Sequence, residues 1–367
     1  MNIAIDASRA NKIEKTGVEW YSYFVIEELK KLVSDGDRVV LYSGDKLRDG
    51  LEKLPENWQE KKLNWPPKYL WTQIRLWWEL MINPPDVLLV TAHTIPFLPI
   101  RRKTKVAITV HDVGFKRFPK LYKKIQYWYH NLTMYKIRSR ADIIFTVSEF
   151  SKSEIVELYN VSPDKIKVAL NGFSQDGYQI DGPKPEALSK YKIKKPYLLY
   201  VGRIEKKKNV INMIKAFIKL SESNADLNLV LAGGAGNSID EVKAIILDNK
   251  LEDRIILPGY IDEEDLPYLF KSAEVFLFPT LYEGFGIPIL QAMAVGTPVV
   301  TSNQNPHQEV GGEFAVYVDP KDVDGIVDGI LKVLGDDNLK ESLILGGLEQ
   351  VKKFSWANTA EEIFKSL

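Results

Sequence analysis

The sequence predicts an α/β protein made of two doubly wound domains. Short runs rich in β-branched residues alternate with longer stretches of helical periodicity along the 367 residues. That alternation is typical of parallel strands joined by helical crossovers. A chain of this length exceeds one ordinary hydrophobic core. A segment rich in glycine, proline and aspartate at 171–185 interrupts the pattern, so we place the domain boundary there.

The first half of the chain begins with a strand and continues through alternating helices and strands. The expected strands are 3–5, 38–43, 86–90, 105–110, 142–147 and 166–170. The expected helices are 17–33, 71–82, 120–140 and 148–158. Gly17 opens the first helix directly after a loop. A glycine there lets a ligand approach backbone N–H donors closely.

The second half repeats the alternation. The expected strands are 197–201, 227–233, 254–259, 275–279, 298–302 and 315–318, and helices begin near 209, 239, 264, 287, 321 and 337. Ligands of open α/β sheets bind beyond the carboxyl ends of the strands. Two such domains facing each other therefore predict a ligand-binding cleft.

Composition narrows the possible partners and the expected location. Lysine plus arginine and aspartate plus glutamate both number 49, so no net charge steers the chain toward nucleic acid. The absence of cysteine excludes disulfides and thiolate nucleophiles. We find no apolar run of membrane-spanning length and no signal-peptide pattern at the start. We therefore expect a cytoplasmic protein, at most peripheral on the inner face of the membrane.

One candidate site follows the strand at 275–279. The loop carries Glu283, Gly284, Phe285 and Gly286, and a helix begins at Ile287. A helix N-terminus presents unpaired N–H groups and positive potential, which attract anions. Glu283 can accept hydrogen bonds from ligand hydroxyl groups. The alternative is a turn with an ordinary acid at a helix start.

A second candidate site follows the strand at 197–201. In "GRIEKKKN", Arg203 and Lys208 flank a basic loop, and Asn209 is expected to cap the next helix. Arginine binds phosphate oxygens in bidentate fashion and lysine acts as a point charge, so this pair suits a diphosphate. The alternative is a solvated basic surface.

Two aromatic stretches distinguish the first half of the chain. One contains Trp65, Tyr69, Trp71, Trp77 and Trp78, and the other, at 115–140, mixes aromatics with eight lysines and arginines and no acid. Basic and aromatic surfaces bind anionic membranes or lipid-linked phosphates. The alternative is core packing with solvated charges.

Several motifs in a fixed order resemble those of the retaining glycosyltransferases of family 4. They are "HD" after a strand, "FTVSEFSKSEIVELYNVSPDKIKVALNG", "VGRIEKKKN", "LAGG", "LPGYIDEEDLPYLF" and "FPTLYEGFGIPILQAMAVGTPVV". The resemblance implies a GT-B fold: a Rossmann-like acceptor domain at 1–173, a Rossmann-like nucleotide-sugar domain at 174–355, and a C-terminal helix at 356–367 that packs back on the first. It also implies a nucleotide-diphosphate sugar as co-substrate, no cofactor and no required metal.

The same resemblance assigns roles to particular residues. Arg203 and Lys208 match the pair that holds the donor diphosphate, and Glu283 matches the first acid of a paired-glutamate motif. The backbone from Gly284 to Ile287 matches the loop against the donor sugar and phosphate, and His111 matches the histidine beside that sugar. Oriented positive charge of this kind stabilises the leaving diphosphate.

One position departs from the family pattern. Gln291 stands where family members usually carry a second glutamate that binds the ribose hydroxyls. Glutamine keeps the length and one acceptor oxygen but loses the charge-assisted bond, so donor binding is expected to be weaker or altered.

The acceptor is expected to bind to the first domain. The residues that we expect to contact it are Asp112, Trp71 and Lys116.

These observations predict a retaining, metal-independent glycosyltransferase. It would transfer a hexose or deoxyhexose to a saccharide or lipid-linked acceptor. The analogy with the family suggests a role in envelope glycan synthesis. Three alternatives stay open at this point. One is a nucleotide-sugar epimerase, and another is a non-catalytic sugar- or lipid-binding subunit, which the glutamine at 291 suggests. The third is a nicotinamide oxidoreductase, which "LAGGAG" at 231–236 weakly suggests.

Overall fold

A computed structural model describes residues 1–34, 36–65, 70–182, 184–304 and 306–367. The chain forms two compact units. Unit 1 comprises Met1–Gly172 and Ser355–Leu367, and unit 2 comprises Phe173–Phe354. Each unit has its own sheet and its own core.

Unit 1 is built on a parallel sheet. Its described strands are β1 (Asn2–Asp6), β2 (Arg38–Ser43), β3 (Trp58–Lys62), β4 (Val87–Val90), β5 (Lys105–Thr109), β6 (Ile143–Thr146) and β7 (Ile166–Val168). They lie in the order β3-β2-β1-β4-β5-β6-β7. The order reverses beside β1, which pairs with both β2 and β4, so the carboxyl end of β1 is the topological switch point.

The helices of unit 1 cover the faces of this sheet. They are α1 (Gly17–Leu32), α2 (Trp77–Ile82) with a preceding π-helical turn (Thr72–Leu76), α3 (Gly114–Arg117), α4 (Lys124–Arg140) and α5 (Glu149–Tyr159), with short 3-10 turns at Pro119–Leu121 and Pro163–Lys165. The buried strand residues Leu88, Val106 and Ile108 form one apolar cluster with Leu80 of α2 and Ile137 of α4. Apolar burial of this kind is the main stabilising contribution to the unit.

Unit 2 repeats the architecture. Its described strands are β8 (Tyr197–Val201), β9 (Asn228–Ala232), β10 (Ile255–Gly259), β11 (Val275–Phe278), β12 (Val299–Ser302) and β13 (Val316–Val318). They are parallel, in the order β10-β9-β8-β11-β12-β13. The helices are α6 (Pro185–Lys190), α7 (Val210–Ser221), α8 (Ile239–Asp248), α9 (Leu266–Ser272), α10 (Ile287–Ala294), α11 (His307–Gly311), α12 (Val323–Gly335) and α13 (Asp337–Val351), with 3-10 turns at Asp176–Tyr178 and Lys206–Lys208.

The last helix, α14 (Trp356–Ser366), belongs to unit 1. Its Trp356 ring stacks on Phe24 of α1 with centroids 5.0 Å apart. Gly172 lies so close to this helix that a Cβ there would meet the Trp356 nitrogen at 2.5 Å. The C-terminal segment is therefore anchored on α1 by aromatic packing and a close backbone approach.

The predicted α/β class with two parallel sheets is confirmed, with differences in detail. β3 was not predicted, because its sequence WQEKK is largely polar, as an edge strand allows. The predicted helix at 120–140 begins instead at Lys124, after the turn at Pro119–Leu121. The helix α6 was also missed, because it begins with a proline inside the expected linker.

Candidate active site

An ion pair lies at the carboxyl end of the unit 2 sheet. The ammonium group of Lys208 donates to Oε1 of Glu283, and their side chains are only 16% and 14% exposed. Lys208 Nζ also lies 5.5 Å from the centroid of the Phe278 ring. The two loops are further joined by a backbone hydrogen bond of 2.9 Å from Leu281 N to Lys207 O. The structure therefore brings together two of the predicted donor-binding residues.

Arg203 occupies a different environment from Lys208. Its side chain is 67% exposed, and its Nη1 lies 3.2 Å from Oε1 of Glu205. The Arg203 carbonyl accepts a 2.9 Å hydrogen bond from the hydroxyl of Tyr200, which fixes the backbone of the loop. The guanidinium group itself is a solvent-facing cation near the same strand end.

The loop before α10 requires glycine at Gly286. Its φ is +119°, a left-handed conformation, and a Cβ there would lie 3.2 Å from Ile289 Cδ1 and 3.3 Å from His307 Cδ2. No side chain of a described residue caps the N-terminus of α10. The neighbouring Phe285 is buried against Phe354, with ring centroids 5.7 Å apart. Phe285 therefore packs the loop before α10 against Phe354, and no described side chain caps the helix.

His307 supports this loop and was missed by sequence analysis. It is buried, with Nδ1 2.6 Å from Ser302 Oγ and 2.9 Å from Thr301 Oγ1. Burial lowers the pKa of His307 to about 4, against an opposing effect of Glu283. A neutral imidazole therefore packs beneath the predicted donor loop. No sequence motif indicated this contact, which arises where α11 meets β12.

Gln291 is tied to the start of unit 2. Its Nε2 donates a 2.5 Å hydrogen bond to the hydroxyl of Tyr178, and burial raises the pKa of that tyrosine. Tyr178 in turn contacts Phe173, with ring centroids 5.1 Å apart. A glutamine at this position therefore has a structural partner, while its Oε1 accepts from no described residue.

The side chain of Asn209 does not make the predicted capping hydrogen bond to α7. Asn209 stands at the N-cap position, but its φ is +62° and its side chain does not cap the helix. Instead, Nδ2 donates to the carbonyl oxygens of Pro279 at 2.9 Å and Pro320 at 2.6 Å. Asn209 therefore joins the loops after β8, β11 and β13 at the strand ends of unit 2.

His111 lies at the carboxyl end of β5 in unit 1. Its Nε2 is 3.2 Å from the carbonyl oxygen of Thr91, and its ring packs edge-on against Tyr21 with centroids 4.6 Å apart. Burial lowers the pKa of His111 to about 4. In the neutral ring, Nε2 must carry the proton that it donates to a carbonyl, so Nδ1 is an acceptor. Such a nitrogen can accept a hydrogen bond from a sugar hydroxyl.

Three residues around His111 escaped sequence analysis. The ring of His93 lies 5.1 Å from that of His111, and burial, followed by the charges of the neighbouring histidines, lowers its pKa well below the usual range. His130 packs on Phe115 with ring centroids 5.1 Å apart. Arg9 follows β1 and lies close enough to influence the pKa of His111. For Arg9 and His93 the available signal was a polar side chain soon after a strand, which marks ligand sites in such sheets; His130 lies within α4 and carried no such signal.

The predicted acceptor residues are mainly engaged within unit 1. Asp112 Oδ1 accepts a 2.8 Å hydrogen bond from the backbone N–H of Gly114, so this oxygen faces the local backbone. Lys116 Nζ lies 3.4 Å from Asn131 Oδ1. Trp71 is half-buried against the core. Gly17 is exposed, and a Cβ there would meet nothing within 4 Å, so its backbone is open to a ligand.

An exposed apolar surface runs along α4. We call it the α4 face and define it as Ile125, Trp128, Tyr129, Leu132 and Tyr135, which are between 39% and 78% exposed. Tyr69, in the other predicted aromatic stretch, lies outside the described residues. In the described part of the chain, no helix combines the length and apolar character needed to cross a bilayer.

Comparison with known proteins identifies the class. The model of Glycosyltransferase Family 4 matches residues 16–176, and that of Glycosyl transferases group 1 matches residues 183–349. A sucrose-phosphate synthase from Thermosynechococcus elongatus shares the fold, with a TM-score of 0.75 at 18% identity over 100% of this chain and 98% of that one. The fold is therefore GT-B.

Curated relatives confirm the family. The chain is 37% identical over 266 residues to O-antigen chain mannosyltransferase B of Escherichia coli, a match covering 71% of this chain and 69% of that relative. It is 32% identical over 232 residues to O-antigen chain mannosyltransferase RfbU of Salmonella typhimurium, covering 63% of this chain and 60% of that one. The chain belongs to the group 1, family 4 glycosyltransferases.

Proposed function

We propose that this protein is a retaining, metal-independent glycosyltransferase that takes a hexose or deoxyhexose from a nucleotide-diphosphate sugar. The observation that carries the proposal is the pairing of Lys208 with Glu283 in front of the N-terminus of α10. A cation, a carboxylate and the N-terminus of a helix within one loop cluster suit a ligand that has both phosphates and hydroxyl groups. The names of two relatives, both O-antigen chain mannosyltransferases, favour mannose and an envelope glycan acceptor.

In the proposed mechanism, unit 2 holds the donor diphosphate through Lys208 and Arg203. As the glycosidic bond breaks, negative charge grows on the leaving diphosphate, and these two cations stabilise it in place of a metal ion. The acceptor hydroxyl attacks the same face of the sugar and passes its proton to the leaving phosphate oxygen. Nδ1 of His111 accepts a hydrogen bond from a sugar hydroxyl and orients the ring.

The test is turnover of a nucleotide-sugar panel in excess EDTA, followed by ¹H NMR of the anomeric proton of the first product formed. We expect one donor to be consumed and the product to keep the donor's anomeric configuration. Inversion would contradict the retaining mechanism, and a requirement for added Mg²⁺ would contradict metal independence. Donor binding without turnover of any acceptor or water would favour the non-catalytic sugar-binding subunit, which Gln291 suggests.

A second part of the proposal concerns the membrane. The α4 face is apolar and aromatic, and the segment 115–140 that contains it carries eight basic residues and no acid. Positive charge around an apolar helix face complements the surface of an anionic bilayer. We therefore propose that unit 1 binds the membrane peripherally through α4, where a lipid-linked acceptor would be found.

The membrane contact is tested by co-sedimentation with phosphatidylglycerol vesicles at low salt. Trp128→Ser should release most of the bound protein, since Trp128 is 74% exposed on the α4 face. Tyr260→Ser is the matched control, because Tyr260 is 71% exposed but lies in unit 2. Equal binding by both variants, or no binding by the unmodified protein, would contradict the proposed contact.

A further inference from the structure

We propose that a cavity within unit 1 binds a saccharide bearing an anionic group, which would be the acceptor of the proposed transferase. The cavity has a volume of about 740 Å³, which is within the usual range for small-molecule sites. It lies at the carboxyl ends of the strands at one edge of the sheet: Ser8 and Arg9 follow β1, Ser43 ends β2, and Asn64 follows β3. Parallel sheets bind their ligands at this end.

Three aromatic side chains line the cavity, and one of them is held firmly in place. They are Trp71, Trp65 and Tyr129. The indole N–H of Trp71 donates to Leu63 O at 2.9 Å, and a Cβ on Gly44 would lie 3.5 Å from that nitrogen, so the ring is held against the Gly44 backbone. A sugar ring has an apolar face of C–H groups that can pack on an aromatic ring. Since Trp71 is already fixed, binding would cost little side-chain entropy.

The polar side chains that line the cavity fall into two groups. Asn11 and Gln73 are used internally: Asn11 Nδ2 donates to Lys46 O at 3.0 Å, and Gln73 Oε1 accepts from Phe97 N at 2.7 Å. These hydrogen bonds hold the two side chains in place. Ser8 is half-buried and Asn64 is exposed, and both line the same space. Their hydroxyl and amide groups are the candidates for hydrogen bonds to sugar hydroxyls.

The charge of the cavity indicates the anionic group. Arg9 and Lys12 line it together with one described acid, Asp45. Arg9 is half-exposed, and its Nη1 lies 3.2 Å from Oε1 of Glu19, which leaves other guanidinium N–H groups available. Lys12 is exposed and makes no ion pair with any described residue. Among the described lining residues, positive charges therefore outnumber negative ones, and guanidinium and ammonium groups favour oxyanions.

Arg9 also acts electrostatically on two histidines of the same unit. Its charge opposes protonation of both His111 and His93, in addition to the larger effect of burial. The oxyanion has two chemical sources, a phosphate ester at the anomeric carbon, as in a lipid-linked sugar, or the carboxylate of an acidic sugar.

The inference rests on the proposed transferase function but is tested by binding alone. The full chain is labelled with 5-fluorotryptophan, and Trp71→Phe and Trp65→Phe assign the two relevant ¹⁹F resonances. Glucose 1-phosphate, glucuronate, methyl α-glucoside and inorganic phosphate are then titrated. We expect glucose 1-phosphate or glucuronate to shift both resonances at concentrations at least tenfold lower than methyl α-glucoside or phosphate. Whichever anionic probe binds identifies the source of the oxyanion.

Charge variants decide the role of the two cations. Arg9→Gln should weaken binding of the anionic probe about tenfold, as for the loss of a charged hydrogen bond, and Lys12→Gln about two- to fivefold. Lys46→Gln is the matched control, because Lys46 is exposed nearby but does not line the cavity. Unchanged affinity in both cavity variants, or equal affinity for methyl α-glucoside, would overturn the inference. Inorganic phosphate binding as tightly as glucose 1-phosphate would overturn the saccharide assignment.

Failure of this inference is distinguishable from failure of the proposed function. Lys208→Ala removes a residue of the proposed donor site in unit 2 and should leave probe binding to unit 1 unchanged. If the unmodified protein binds the anionic probe but no nucleotide, the proposed donor site is wrong and the cavity inference stands. If it binds a nucleotide but no probe, the cavity inference is wrong and the proposed donor site stands.

Discussion

The ion pair between Lys208 and Glu283 places opposite charges, both largely shielded from water, in front of α10. A diphosphate would compete with Glu283 for the same ammonium group. Glu283 would then be released to accept hydrogen bonds from the sugar hydroxyls. Donor binding would therefore exchange an internal ion pair for two contacts to one ligand, which favours a ligand that has both phosphate and sugar.

Gln291→Glu should strengthen ribonucleotide binding. The new carboxylate can accept a hydrogen bond from Tyr178, whose hydroxyl lies 2.5 Å from Gln291 Nε2, and offer its second oxygen to a ribose hydroxyl. We expect the dissociation constant for the preferred nucleoside diphosphate to fall roughly five- to tenfold, from a gain of about 1 kcal/mol. Isothermal titration calorimetry measures it.

The matched control for this substitution is Gln308→Glu, which makes the same charge change at an exposed position. A 2′-deoxynucleotide should gain less than the ribonucleotide from Gln291→Glu. Equal gains in both nucleotides would exclude recognition of the 2′-hydroxyl, and no gain in either would exclude a ribose role for position 291.

His307 should make the stability of unit 2 depend on pH. Its folded-state pKa, about 4, lies below the ordinary value of 6.5 because the ring is buried. The unfolded chain therefore binds a proton more readily, and the free energy of unfolding should fall as the pH decreases from 6.5 to 4 and level off below. The loss is roughly 2 to 4 kcal/mol for this one group.

The measurement is the thermal midpoint between pH 7.5 and 4.5 for the unmodified protein and His307→Gln. The variant should be less stable at pH 7.5 but should lose less on acidification. His111 also has a pKa near 4, so the stability of unit 1 should still depend on pH in the variant. Parallel pH curves for the two proteins would contradict the assignment of this dependence to His307.

At the scale of elements, the turn into α10 depends on one left-handed glycine. Gly286→Ala places a Cβ at φ +119° and within 3.3 Å of His307 Cδ2. We expect a loss of about 1 to 3 kcal/mol in the free energy of unfolding, together with weaker nucleotide binding because the loop must shift. Chemical unfolding and calorimetry measure the two effects.

Gly17→Ala serves as the control for Gly286→Ala. A Cβ at Gly17 would meet nothing within 4 Å and its φ is not left-handed, so the fold should be unaffected. A fall in turnover without a loss of stability would support close approach of a ligand to the Gly17 backbone. An unchanged free energy of unfolding in Gly286→Ala would contradict the strain argument.

The prediction of strands and helices succeeded where the hydrophobic pattern was strong. It failed where a segment became a strand because of its position in the folded sheet. The buried strands β1, β4 and β11 are apolar over 3–5, 87–90 and 275–278, so their pattern was unambiguous. β3 carries mostly polar residues and exists because the edge of β2 is available for pairing. Such pairing is a tertiary effect that the local sequence does not encode.

For the whole molecule, the sequence motifs predicted the class of fold and pointed to several candidate site residues, but not to their partners. Glu283 and Lys208 were each identified by motif, whereas their ion pair joins positions 75 residues apart. His307, Arg9 and Tyr178 belong to no quoted motif. They gain their roles from contacts between the loops at the ends of the strands, which depend on the folded sheet.

The central claim is that unit 2 binds a nucleoside diphosphate through Lys208 without a metal ion. The most direct test is the thermal midpoint with UDP, GDP, ADP and dTDP in excess EDTA, for the unmodified protein, Lys208→Ala and the exposed control Lys206→Ala. Ligand at about 100 times its dissociation constant should add roughly 2.7 kcal/mol. The account predicts a shift of several degrees with one nucleotide, kept in Lys206→Ala and lost in Lys208→Ala. No shift with any nucleotide, or an equal shift in Lys208→Ala, would contradict it.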